Sequence, residues 1–268
     1  MVIIQDLSES AIQESLKNHL SYIEDERTKE RDYMLDWYEG INIDDYVRKY
    51  FSRESLRQVP SLHQNITKRV ASLTSMTYKR SPRLRVSEQY KELIDSASLQ
   101  AQRRLLERLT FLLGTMAFRS YWDERAGKIK YQTLSHFTPL FVAGDSRDEP
   151  VGVTYPIEYQ GDARLNRPVH AVWTADRPGQ PGRHYLCDEH GNKISVNPED
   201  RNPYGVLPIT FCHRYPPIRD FWAGSGAADV VSVDLAVNVA QIELSLCVRY
   251  GAMGIKYLTS IDDPSRVE

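Results

Sequence analysis

The sequence predicts an α+β fold, with helices first, an antiparallel β-rich middle and one long helix near the end. Three observations carry this. Apolar residues recur at helical spacing as far as Leu113, and short runs bounded by turn residues take over from Gly114. A stretch after Gly224-Ser225 then returns to helical spacing, with apolar side chains on two opposite flanks. This order is not the strand–helix alternation that builds a parallel sheet.

Taken in order, residues 8–39 read as one long helix opened by Ser8 or Ser10, with Ile12, Leu16, Ile23, Met34 and Trp37 as its apolar edge and Gly40 as its stop. The run Glu24 to Asp32 is a solvated charge run in its middle. A short amphipathic element begins at Asp44. Pro60 suits the first turn of a helix over 60–78, in which Leu62, Ile66, Val70, Leu73 and Thr77 recur every three or four residues. Ser81-Pro82 breaks the chain, and a further helix over 88–113 carries Leu105, Leu109, Leu112 and Leu113. Runs 117–122 and 128–134 flank Asp123-Glu124-Arg125-Ala126-Gly127 as a hairpin. Further strands are expected at 138–142, 151–159, 168–175, 182–187 and 192–196, separated by glycine- and proline-rich turns. Asn202-Pro203-Tyr204-Gly205 forms a turn that leads into Val206 to Phe211.

The last helix is placed at 226–250, capped by Ser225. At 3.6 residues per turn, Val233, Val237, Leu244 and Val248 share one flank, and Leu235, Val239, Ile242 and Leu246 share the other. A polar stripe of Asp234, Asn238, Gln241, Ser245 and Arg249 runs between them on one side, and Ser232, Ala236, Ala240, Glu243, Cys247 and Tyr250 on the other. Identical helices standing side by side in a ring would need this pattern, and so would a helix sandwiched inside one α-rich domain. A membrane span is not expected, because Asp229, Asp234, Glu243 and Arg249 interrupt the apolar run.

The net charge of −2 conceals a segregation. Residues 1–45 hold 12 acidic and 4 basic side chains, residues 46–130 hold 7 and 18, and residues 131–268 hold 17 and 12. Either these segments pair within one molecule, or an acidic arm meets the basic region of a neighbour. The pI near 6.4 argues against sequence-specific nucleic-acid binding. Cys187, Cys212 and Cys247 are an odd number in unlike contexts, which fits a reducing cytoplasm better than a disulfide framework. The start of the chain has no signal-peptide pattern.

No catalytic motif is present, so no enzyme activity and no cofactor is expected. The Gly224-Ser225-Gly226 start of the long helix reads as a hinge and cap before an anion site. The best metal candidate is His184-x-x-Cys187-x-x-His190, with Cys212-His213 as possible company, but its spacing fits no standard zinc pattern. A small metal-dependent hydrolase at these residues, or a monomeric scaffold or adaptor protein, is the alternative reading. His136 and His170 read as structural. Tyr155, Tyr159, Trp173, Phe211, Tyr215, Phe221 and Trp222 suit strand faces and junctions.

Four landmarks, in this order, resemble the portal proteins of tailed bacteriophages. They are Pro60 to Val70 followed by Thr77-Tyr78-Lys79-Arg80-Ser81-Pro82, Gly114-Thr115-Met116-Ala117-Phe118-Arg119, Val151 to Ile157, and Asn202-Pro203-Tyr204-Gly205-Val206-Leu207-Pro208-Ile209 with the two-sided helix behind it. The resemblance covers roughly residues 40–260. It implies an acidic N-terminal helical arm (1–45), a basic helical part of a wing (46–116), a β-rich wing (117–224), a stem helix (225–251) and the start of a clip (252–268). The family's second stem helix, tunnel loop and crown would lie beyond Glu268, so the chain looks like a portal subunit lacking its C-terminal part.

By the same resemblance the protein is a virion structural subunit, assembled in the host cytoplasm as a ring, a dodecamer, at one capsid vertex. It would contact the major capsid protein, the large terminase subunit and a neck or adaptor protein, and double-stranded DNA would pass without sequence specificity and without any membrane. Val233, Val237, Leu244 and Val248 would pack on the Leu235, Val239, Ile242 and Leu246 flank of the next copy. Asp234, Asn238, Gln241 and Ser245 are then the channel-lining candidates.

Overall fold

A computed structural model describes residues 2–20, 26–51, 63–75, 87–146, 149–157, 169–194, 200–218 and 221–252. The fold is α+β, with two sheets and a long last helix. A short strand β1 (Val2–Ile4) precedes α1 (Glu9–Leu20), α2 (Glu26–Glu39), α3 (Ile43–Arg48), α4 (Ile66–Thr74), α5 (Glu88–Lys91) and α6 (Ser96–Leu113). The strands β2 (Thr115–Asp123), β3 (Lys128–Leu134), β4 (Thr138–Val142), β5 (Gly152–Ile157), β6 (Val169–Thr174), β7 (His184–Cys187) and β8 (Ile209–His213) follow, and α7 (Ala228–Ala252) closes the order.

One sheet has the order β1-β4-β5-β6-β7 and the other β3-β2-β8. All pairs are antiparallel except β1 with β4, where Val2 faces Leu140 and Ile4 faces Val142. The larger sheet is covered on both faces. On one, α1 packs Ile12 and Leu16 against Leu140, Val172, Tyr185 and Cys187. On the other, Phe141, Val153, Tyr155, Ala171 and Trp173 meet Ala117, Leu134, Ile209 and Phe221 from the smaller sheet and its flanking loops. Successive strand residues point to opposite faces, so a strand between two covers has no wet side. That is why β6 (Val-His-Ala-Val-Trp-Thr) is buried along its whole length.

The helices form a third core around Trp37, Val47, Ala71, Leu109, Leu112, Val231 and Ile242. The helix expected over 8–39 is seen as α1 and α2, with residues 21–25, Ile23 among them, outside the described set, and its apolar edge serves two cores. Ile12 and Leu16 of α1 face the sheet, whereas Met34 and Trp37 of α2 enter the helical core. The acidic segment 1–45 is accordingly built into both layers, with Val2 and Ile4 in a strand the sequence reading had not placed. The expected helix over 88–113 breaks at Asp95. Its carboxylate accepts Ser98 N–H at 3.0 Å and caps α6, while its own N–H donates to Ile129 O at 3.1 Å. The helix expected over 60–78 is seen as α4, capped by Asn65 Oδ1 on Lys68 N–H at 2.8 Å; Leu62 and Thr77 lie outside the described residues. Of the strand expected over 192–196, Lys193 bridges Cys187 and Ile194 N–H reaches Leu186 O at 2.8 Å; residues 195–199 lie outside the described set.

Two glycine-bearing motifs have clear work. Gly114 ends α6 at φ 79°, its N–H donates to Thr110 O, and its carbonyl accepts Arg214 N–H at 2.8 Å. Beside it Thr115 Oγ1 accepts Ala223 N–H at 2.8 Å, so Gly114-Thr115 ties α6 and β2 to the approach of α7. In the Asn202-Pro203-Tyr204-Gly205 turn, Asn202 is buried. Its Nδ2 donates to Thr174 O at 2.8 Å and Val206 O at 2.9 Å, and its Oδ1 accepts Tyr204 N–H at 3.0 Å.

Candidate subunit interface

The long helix begins two residues later than expected, at Ala228, and runs to Ala252. Ser225 Oγ accepts Ala227 N–H at 3.1 Å and donates to Leu112 O, which fastens the approach to the helix to α6; the N–H it takes lies ahead of the first turn, so Ser225 is not the expected cap. Its buried line is Val231, Asp234, Asn238 and Ile242, at helical spacing. The inward face is thus centred on the polar stripe, and the reason is the N-terminus of α4. Asp234 Oδ2 accepts both Thr67 N–H and Thr67 Oγ1–H at 2.8 Å. Asn238 Oδ1 accepts Gln64 N–H at 2.8 Å, and its Nδ2 donates to Gln64 O at 3.1 Å and Asp234 Oδ1 at 2.9 Å. The first N–H groups of a helix have no partner within it; Asp234 supplies the acceptor for Thr67 in the first turn of α4, and Asn238 holds Gln64 just ahead of that helix.

This corrects two of the four channel-lining candidates. Asp234 and Asn238 are fully buried in their own chain, so they present nothing to a lumen. Gln241 and Ser245 are half-buried, with Ser245 Oγ donating to Gln241 O at 2.7 Å. One assigned interface flank is corrected as well. Ile242 is buried, and Leu235, Val239 and Leu246 pack beside it on the chain's own helical core. The opposite flank is bare: Val233 is 57% exposed, Val237 38%, Leu244 65% and Val248 62%. Ala236 and Ala240 are exposed between them, and Glu243 and Cys247 border the same side.

The Asp234–Thr67 and Asn238–Gln64 bonds escaped the sequence reading because their partners lie 167 and 174 residues away. A usable signal was there. Asp and Asn four apart on an otherwise apolar helix share one face, and buried polar groups need partners.

The metal candidates do not converge. His184 and Cys187 sit three apart on β7, an odd offset that sends them to opposite faces. His184 stacks on Trp173 with ring centroids 3.6 Å apart, Cys187 is buried under α1, and His190 is exposed in the following turn. Burial pushes the Cys187 thiol up to about 12. Among the described residues no three His, Cys, Asp or Glu side chains gather as a metal site. Ser135, His136 and Asp32 do lie in a row, with Ser135 Oγ 3.0 Å from His136 Nδ1 and His136 Nε2 2.8 Å from Asp32 Oδ1. Ser135 is the chain neighbour of His136, and the contact with Asp32 fastens the β3–β4 corner to α2.

Burial, and then the Arg119 charge, hold the His184 imidazole down at about 4 against an ordinary 6.5. The unfolded chain therefore binds the extra proton between pH 6.5 and about 4. The stability His184 contributes is present in full above pH 6.5 and is lost as pH falls towards 4. A His184→Gln variant is expected to show a shallower fall in melting temperature across that window than the parent, measured by thermal melts at stepped pH.

One described helix, Ala228–Arg249, is long and apolar enough to cross a membrane by length and composition, at a mean hydropathy of 1.5 with 22% of it buried. No family model and no curated protein matches this chain.

Proposed function

We propose that this chain is a structural, non-enzymatic subunit of a ring-shaped portal of the tailed-phage kind, through which double-stranded DNA is packaged and ejected. The observation that carries the reading is the bare flank of α7. Four large apolar side chains stand in a line on a helix whose other side is anchored in its own core. Contiguous exposed apolar surface on a folded protein marks a contact site, and a line along a 25-residue helix fits a parallel neighbour. The order of the four sequence landmarks adds the family likeness. In the ring, Val233, Val237, Leu244 and Val248 meet a different surface of the next copy, a heterologous contact that closes by rotation. Their expected mate, the Leu235 to Leu246 flank, is already occupied within the chain. The outer ring surfaces then meet the major capsid protein, the large terminase subunit and the neck protein, in the virion, after assembly in the host cytoplasm.

A bilayer is the other medium that could cover this flank. A span, however, would draw the N-terminus of α4 into hydrocarbon along with Asp234 and Asn238, which hold it. The wet protein interface is the better account.

Light scattering and negative-stain micrographs of the purified chain test the proposal, with rings expected for the parent. Leu244→Asp with Val248→Asp is expected to yield folded monomers, since both side chains are exposed in the single chain. Monomers from the parent chain, or rings unchanged by the double substitution, would sink it.

A further inference from the structure

A cleft of about 770 Å³ opens between α2, the end of α6 and the loop before α7. It lies apart from the bare flank of α7 and has a different character. Its floor holds Arg31, which is 8% exposed. Arg31 Nη2 donates to Thr115 O at 3.2 Å and to Ser135 O, and lies 3.6 Å from Met116 Sδ. These partners are neutral. Among the described residues no carboxylate bonds this guanidinium, and its buried Nε has no partner.

A buried arginine normally keeps a carboxylate, because an uncompensated buried charge is costly. Burial and the neighbouring Arg27 charge pull the Arg31 guanidinium down to about 10, against the opposing influence of Asp32 and Glu30. The walls supply the rest of a recognition surface. Arg27 and Arg31 both stand over the Trp222 ring, at 4.6 and 5.4 Å from its centroid. Met34 and Leu113 line the apolar side, and Ile218, 96% exposed after Pro216-Pro217, forms the rim. Glu30 also lines the mouth. A single carboxylate suits that mixture better than a doubly charged phosphate, which Glu30 would repel.

We propose that this cleft is a docking site for a short segment of a partner protein that presents one carboxylate between apolar side chains. The carboxylate accepts from the Arg31 guanidinium away from Nη2, whose two hydrogens already serve Thr115 O and Ser135 O. The flanking apolar groups pack on Met34, Leu113 and Ile218. The inference stands whether or not the chain assembles into a ring.

Calorimetric titration of the full chain with the tripeptide Ac-Leu-Glu-Phe-NH2 tests it, with Ac-Leu-Gln-Phe-NH2 and inorganic phosphate as comparators. Saturable binding of the Glu peptide is expected below about 10 mM. The Gln peptide and the Arg31→Gln protein are each expected to bind about tenfold more weakly, the usual scale for a lost charge-assisted bond. Ile218→Ser, at a fully exposed rim position, should weaken the Glu peptide while the fold is kept. If Arg31→Gln does not fold, the Glu-against-Gln comparison on the parent chain and the Ile218→Ser result decide the matter. Equal affinity for the two peptides, no saturation with the Glu peptide, or phosphate binding more tightly than the peptide would each overturn the proposal.

Discussion

Replacing Asp234 by alanine is expected to lower the unfolding free energy by about 2–4 kcal/mol, the scale for leaving two buried donors without their acceptor. Two donors lose their acceptor at once, Thr67 N–H and Thr67 Oγ1–H, in a site without exposure, whereas Asn238 Nδ2 keeps Gln64 O and the backbone carbonyl of residue 234. Each stranded donor costs about 1–3 kcal/mol. Thr67 can recover only its hydroxyl bond by turning its side chain; its backbone N–H has nowhere to turn. Denaturant unfolding followed by circular dichroism measures the loss, and a change under about 1 kcal/mol would show that water reaches this site freely. For the same reason Asp234→Lys is expected to disrupt the anchor of α4.

Gly114→Ala is the second large effect. At φ 79° any L side chain is strained, and a Cβ there would stand 2.3 Å from Ala223 O and 2.4 Å from Gly224 O. Both obstacles are backbone, so relief requires moving the loop that leads from β8 into α7 away from the end of α6. That loop is held by Thr115 Oγ1 on Ala223 N–H and by Ser225 on Leu112 O. A loss of about 3 kcal/mol or more is expected, combining left-handed strain with overpacking. The melting temperature should fall sharply, whereas Gly127→Ala, at φ 59° with open space around it, should cost far less. Equal losses at the two glycines would show that the close approach of the loop carries no weight.

Much of the architecture was legible because periodicity reports burial. The hairpin of β2 and β3, the strand β4 and the extent of α7 follow from alternation, turn residues and 3.6-residue spacing. What spacing does not report is which apolar face meets which neighbour. The two flanks of α7 look alike in sequence, yet Ile242 is sealed and Leu244 is bare, because α3 and α4 of the same chain pack on one side. The polar stripe misled for a related reason. Asp234 and Asn238 suggest solvent when read locally, and only the fold shows that α4 ends against them. Val2–Ile4 was missed because three residues carry no period, and their partner β4 starts 136 residues later.

That parallel pairing sets a timetable for the nascent chain. Val2 and Ile4 are made well before their partners, since Leu140 and Val142 arrive only after most of 140 further residues have been added. At roughly 5–20 residues per second the wait is on the order of ten seconds. Throughout it a greasy strand and the greasy side of α1 are in water with no sheet to lie on. Such delayed, non-local closure slows folding and invites wrong associations, so β1 and α1 stay open to wrong partners until the sheet is made.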